Sequence, residues 1–414
     1  MYRRQFLSRT AALGVLPAGI GIGAWQLWPE QGLLNPCLAL PMPESLANHE
    51  LVQAAWEGVN ASKVWDMHVH LIGNGDSGSG AWANPAMYSL LQPFNYLHGA
   101  FYANAACLDT RSGDVDRSYV ARLSALHGNM RQGARLMLLA MDYFHDAAGT
   151  RRPERTMFHV PNQYAARVAQ QHPDKFEWAA SIHPYRADCV DALEDAVKGG
   201  ARAVKWLPSA MGIDPSSPKC DRFYEALKQS KLPLLSHGGY EHPVLDSGRQ
   251  AELNNPLALR RALAHGIRVI ISHAASTGEN VDTDQGANGP IVQSFTLFTR
   301  MMNEPRYEGL LYGDISALTE PSRTAPLLKS VLLNDAWQGR LLNGSDYPLP
   351  GYMPGMSMAY LVDSGFLKTT QASVLNEMRK YNPLLFDFVL KRHLSAGGKR
   401  FAAAVFETQG FFAR

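Results

Sequence analysis

Two histidines one residue apart, His68 and His70 in "VWDMHVHLIG", interrupt an otherwise apolar run. In a strand, residues i and i+2 share a face, so both imidazoles point the same way. Val64, Trp65, Met67 and Val69 supply the apolar filling. Two neighbouring imidazoles are costly to bury unless something uses their lone pairs. A divalent metal ion does so, and histidine is its commonest ligand. Four further polar residues stand at the ends of apolar runs: Lys205 in "ARAVKW", His237 in "LPLLSH", His273 in "RVIISH" and Asp346 in "RLLNGSD". One histidine at a strand end usually makes a structural hydrogen bond. Four histidines and an aspartate, each closing a predicted strand, point jointly to a metal centre.

The elements that must carry these residues are short and regular. Strands are expected at 64–70, 135–141, 177–183, 201–207, 232–237, 268–273, 310–316 and 340–346. Most lack polar alternation, as strands buried on both faces of a parallel sheet do. Amphipathic stretches such as "DCVDALEDAVKGGA" and "DRFYEALKQSK" lie between them, the first ending on a helix-stopping Gly199-Gly200. Eight alternating units predict an α/β fold, a (β/α)8 TIM barrel, whose catalytic groups gather at the C-terminal ends of the strands. Residues 71–133 form a long insertion after the first strand. Its Tyr88, Phe94, Tyr96, Phe101 and Tyr102 are expected to pack as a lid over the barrel mouth. A helix is expected over 371–394, with "NPLLFDF" packing back on the barrel.

Composition narrows the partners. The 414 residues carry a formal charge of +2, with 46% hydrophobic and 18% charged residues. Lys and Arg are scattered without a basic stripe, which argues against nucleic acid. Four cysteines without a CxxC spacing argue against a thiolate zinc site and leave room for one or two disulfides. "YRRQFLSRTAALGVLPAGIGIGAW" resembles a twin-arginine export signal, so a periplasmic location is expected. Its glycines and Pro17 make a weak membrane span, so the expected membrane attachment is limited to an uncleaved signal. The expected boundaries are signal and linker 1–35, lead-in 36–60, barrel 61–394 and tail 395–414. The reading leaves the oligomeric state open.

The set Asp66-x-His68-x-His70, "KWLPS", "SHGG", "ISHAAS" and "NGSDYP" resembles the amidohydrolase superfamily, in its decarboxylase-like branch, from about Val64 to Leu390. The long loop after the first strand and "VKWLPSAMG" depart from the common pattern and leave the substrate open. The resemblance implies one or two divalent ions, zinc being the expected metal. His68, His70 and Asp346 would hold the first, and His237 would join that ion or a second. His273 would ligate a second ion or, with one ion, polarise the substrate. Lys205 would be a carbamylated bridge between two ions or a plain cation. An ion of this kind lowers the pKa of its water from about 16 towards about 7. Asp346 would then act as general base in hydrolysis of an amide, lactone or ester of a small molecule. The alternatives are a one-metal non-oxidative decarboxylase and an exported binding protein without turnover. Weaker candidates for substrate contact are His183, Arg186, Tyr240 and His242. Asp314 is a candidate for orienting a ligand histidine. Arg323 in "EPSR" is a candidate for binding an anionic substrate, against the ordinary reading of a loop arginine as solvated.

Overall fold

The computed structural model describes residues 30–240 and 250–413. The apolar runs form eight parallel strands: β1 (Trp65–His70), β2 (Arg135–Leu139), β3 (Phe176–Ala179), β4 (Val204–Trp206), β5 (Leu234–His237), β6 (Val269–Ser272), β7 (Leu311–Asp314) and β8 (Leu341–Leu342). They pair in the orders β1-β2-β3 and β4-β5-β6-β7-β8. Parallel bridges Ala180–Val204 and Val69–Tyr347 join the two sheets at both edges. The pairing therefore closes into an eight-stranded barrel, and the expected fold class holds. Six of the strands end earlier than expected, as the chain leaves the ladder to build the mouth, while β1 and β5 end as expected at His70 and His237.

Alternation sorts each strand into an inner and an outer set. Trp65, Met67, Met137, Leu139, Ala179, Ala203, Leu235, Ile270 and Leu342 pack together inside the barrel. Val69, Leu136, Leu138, Val204, Leu234, Val269 and Ile271 face the helices. Two residues beyond the inner apolar layer, the same face carries Lys205, His237 and Ser272. β1 breaks this rhythm. Asp66 pairs with Leu136 and Val69 with Leu138, so Met67 and His68 together oppose one residue of β2. This bulge lets Met67 fill the core while His68 and His70 still face the mouth. Simple alternation would place Met67 and the histidines on opposite faces.

Helices cover the outer wall. Within the insertion lie α1 (Pro93–Ala105) and α2 (Val115–His127). The wall continues with α3 (Asn162–Gln171), α4 (Cys189–Lys198), α5 (Asp221–Ser230), α6 (Arg260–Ala264), α7 (Ser294–Met302) and α8 (Ala325–Leu333). Spacing of three and four residues decides their buried stripes, as with Cys189, Leu193 and Ala196 on α4. The region expected as one helix over 371–394 is two, α9 (Thr369–Tyr381) and α10 (Pro383–His393), because Pro383 cannot continue the first. Among the described residues no helix is long and apolar enough to cross a membrane.

The insertion sits against the mouth through α1, where Phe101 meets Tyr352 edge-on at 5.7 Å. Its aromatics are only partly packed, however: Tyr88, Phe94 and Tyr96 are 48%, 79% and 38% exposed. A disulfide joins Cys37 to Cys107, tying the lead-in to the end of α1, and Cys189 and Cys220 are buried free thiols. The C-terminal segment folds back under the barrel. Phe412 stacks on Trp65 at 6.3 Å and joins the inner core.

Candidate metal centre

The polar ends of the strands converge at one point. His68, His273 and Asp346 each offer a ligand atom, all within 4.8 Å of one another. His70 Nε2 lies 2.9 Å from Asp346 Oδ1, and His68 Nε2 lies 3.3 Å from the same oxygen. His273 Nε2 stands 3.7 Å from Asp346 Oδ2. His237 packs edge-on against His273 with ring centroids 5.1 Å apart. Lys205, almost fully buried, places Nζ 3.3 Å from His68 Nε2 and 3.0 Å from Ser272 Oγ.

The mouth is built with strain and with close backbone approach. His273, Ala274, Ala275, Ala317, Thr324 and Asp346 all have positive φ without being glycine. Such residues cluster where function demands a particular geometry. Two glycines make the approach possible. A Cβ on Gly344 would stand 2.5 Å from His68 Cβ, and one on Gly239 would meet the Thr277 carbonyl.

Hydrogen bonds fix which imidazole nitrogen faces inward. Asp314 Oδ2 accepts from His68 Nδ1 at 2.7 Å, and Asp314 Oδ1 accepts the His273 backbone N–H at 3.0 Å. The Ser316 hydroxyl donates to Asp314, so its oxygen accepts from His273 Nδ1 at 2.7 Å. Both rings thus carry their proton on Nδ1 and present the Nε2 lone pair to the mouth, the arrangement a metal ligand needs.

Electrostatics agree. Burial, followed by the field of Lys205, lowers the His68 pKa, and burial takes His273 well below its ordinary value. Both are neutral at pH 7. Burial would raise Asp346, but His68, His273 and the hydrogen bond from His70 outweigh it and hold the carboxyl well below its usual range. Asp314 is likewise held low: His68 overcomes the effect of burial. The donor set, two oriented neutral imidazoles and an ionised carboxylate with a third imidazole beside it, fits a divalent ion.

Other candidates lie elsewhere. His183 follows β3 by four residues. It is buried, with Nε2 donating to the Met211 carbonyl at 3.0 Å and Nδ1 accepting from Tyr185 N–H at 3.2 Å. Arg186 is engaged by Asp142 at 2.9 Å and Asp188 at 2.7 Å. Neither reaches the cluster. Tyr240 offers its carbonyl 3.4 Å from His237 Nε2. His242 and the export-type segment through residue 29 lie outside the described residues.

Two features are not visible in the local sequence, the burial of Arg323 and the tie made by Tyr119. Arg323 is buried rather than solvated, donating from Nη1 to Ser276 Oγ at 2.6 Å and from Nε to Glu320 at 3.1 Å. Tyr119 of α2 donates to the carbonyl of His70, tying the insertion to β1. Glu320 is local to Arg323, but Ser276 and the His70 carbonyl, the other partners of Arg323 and Tyr119, are distant in sequence.

The amidohydrolase family profile matches residues 65–383. No curated protein matches the chain. Among solved structures it is similar to 4-oxalomesaconate hydratase from Rhodopseudomonas palustris, at 16% identity over 78% of this chain and 96% of that one, with a TM-score of 0.40. It is also similar to 5-carboxyvanillate decarboxylase from Sphingomonas paucimobilis, at 12% identity over 77% and 98%, TM-score 0.41. A manganese-bound 5-carboxyvanillate decarboxylase from Novosphingobium aromaticivorans aligns at 13% identity over 78% and 96%, TM-score 0.42. With the profile spanning all eight strands and the convergent histidines, the chain belongs to the amidohydrolase family.

Proposed function

We propose that the protein is a metal-dependent hydrolase of a small molecule carrying an amide, lactone or ester bond. The observation that carries this reading is the convergence of His68, His273 and Asp346 within 4.8 Å, with His70 against the same carboxylate. His68, His70 and Asp346 would hold the ion, with His273 and His237 beside it. A bound divalent ion supplies Lewis acidity and lowers the pKa of its water. Asp346, buried and ionised, accepts the proton of the attacking water and returns it to the leaving group. His273 keeps its Nε2 lone pair towards the reacting centre because Ser316 occupies Nδ1. Lys205 would serve a two-ion centre as a carbamate, or a one-ion centre as a plain cation beside His68. The proposed metal is zinc and the proposed compartment the periplasm.

The second reading is a one-metal decarboxylase on the same site, for which the same group of His68, His273 and Asp346 would hold the ion.

Elemental analysis of protein purified without chelators tests the assignment. Metal should be present in wild type and absent from folded His68→Ala and His70→Ala variants. Unchanged metal content in those variants would overturn it. Two equivalents that fall in Lys205→Ala direct screening to lactones, amides and esters. One equivalent, indifferent to Lys205→Ala, directs it to aromatic carboxylates as well.

A further inference from the structure

Asp346 has a left-handed backbone, with φ of 60°. A non-glycine residue persists there only when its surroundings over-determine it. The chain around it must also pass against β1, where Gly344 leaves no room for a side chain beside His68. The strand offers little help, since β8 ends at Leu342.

What holds this segment comes from behind. On α10, Lys391 donates from Nζ to the Gly344 carbonyl at 2.7 Å and to Asp387 Oδ2 at 2.6 Å. Both side chains of this ion pair are only 1% exposed. The next residue, Ser345, gives its backbone N–H to Asp66 Oδ1 at 2.8 Å, and Asp66 also accepts the His68 N–H at 3.2 Å. The third, Asp346, donates its own N–H to the His68 carbonyl at 2.7 Å. Three consecutive residues are thus each fastened, two of them by buried charged side chains that touch neither ligand atoms nor the mouth.

Resting on the metal-centre reading above, we infer that Lys391, with Asp387 and Asp66, positions Asp346. Together they hold the exit of β8 in the conformation that brings the Asp346 carboxylate to the histidines. Lys391 and Asp387 are one helical turn apart on α10, so the last long helix of the chain acts on the metal centre without contacting it. A buried ion pair is a weak device for stability alone, since apolar replacements of similar volume are often neutral. Its use here is to anchor a carbonyl.

The test is the double variant Asp387→Leu/Lys391→Met, which removes the anchor and leaves no unpaired charge. Zinc affinity is measured by chelator competition, and the melting temperature of the metal-free protein is measured in parallel. Zinc affinity should fall about 10- to 100-fold while the metal-free melting temperature stays near wild type, and Lys391→Arg, which keeps a donor, should retain most of the affinity. A folded double variant with wild-type zinc affinity would overturn the inference. Wild type that binds neither zinc nor manganese would instead overturn the metal-centre reading. Should the double variant fail to fold, Asp66→Asn, which offers Ser345 N–H a poorer acceptor, carries the same expectation and the same contrary outcome.

Discussion

Asp314 binds His68 and His273 at once, one carboxylate oxygen on the His68 ring at 2.7 Å and the other on the His273 backbone at 3.0 Å. β7 thereby sets the orientation of residues from β1 and from the exit of β6. Asp314→Asn keeps the shape but leaves one oxygen where four donors now converge, His68 Nδ1, the His273 N–H and the Ser316 N–H and hydroxyl. Outer partners of ligand histidines typically govern metal affinity by about 10- to 100-fold. Chelator competition should show a loss of that size in Asp314→Asn, and an unchanged affinity would refute the orienting role.

Gly344 is held to glycine by His68. An alanine Cβ would stand 2.5 Å from His68 Cβ, forcing β1 and the exit of β8 apart. Overpacking of this kind costs about 1–3 kcal/mol. Gly344→Ala should therefore lower the denaturation midpoint and also reduce metal content, since the displaced groups are His68 and Asp346. A variant as stable and as metal-rich as wild type would show that the contact relaxes freely.

His183 makes stability pH-dependent. Burial, aided by His145, pulls its pKa down to about 3, against about 6.5 in an unfolded chain. The folded protein refuses a proton that the unfolded chain accepts. The contribution is complete above pH 6.5 and is lost as pH falls from 6.5 towards 3. Between pH 7 and pH 5 this amounts to about 2 kcal/mol. Urea unfolding at the two pH values should show a smaller loss in His183→Gln than in wild type, and equal losses would assign the acid sensitivity elsewhere.

The tail is part of the barrel. Phe412 is buried, stacked on Trp65 and packed with the inner core. Phe412→Ala should cost about 3 kcal/mol by the usual price of an emptied aromatic site. Calorimetry decides: a shift within error of zero would mean that the segment merely rests against the barrel floor.

Much of this site was readable before folding was considered, because strand patterns are local. Period two carries the inner face from Ala203 to Lys205 and from Leu235 to His237, so a residue's type and its place at a run's end already assign it to the mouth. The eight strands and their covering helices follow from the same short-range patterns. What the sequence could not decide depends on segments that meet only in the folded barrel. The bulge that turns both Met67 and His68 inward exists because β1 pairs with β2 in a shifted register. Helical spacing already places Asp387 one turn from Lys391, but only the folded barrel brings the Gly344 carbonyl to the lysine. Arg323 is buried with Ser276 and Glu320 as partners, and His183 is hydrogen-bonded to the Met211 carbonyl, contacts that form only in the folded chain. Composition and periodicity determine which residues a chain presents to a face. Tertiary packing alone decides which of them share a neighbour, since that neighbour can lie hundreds of residues away.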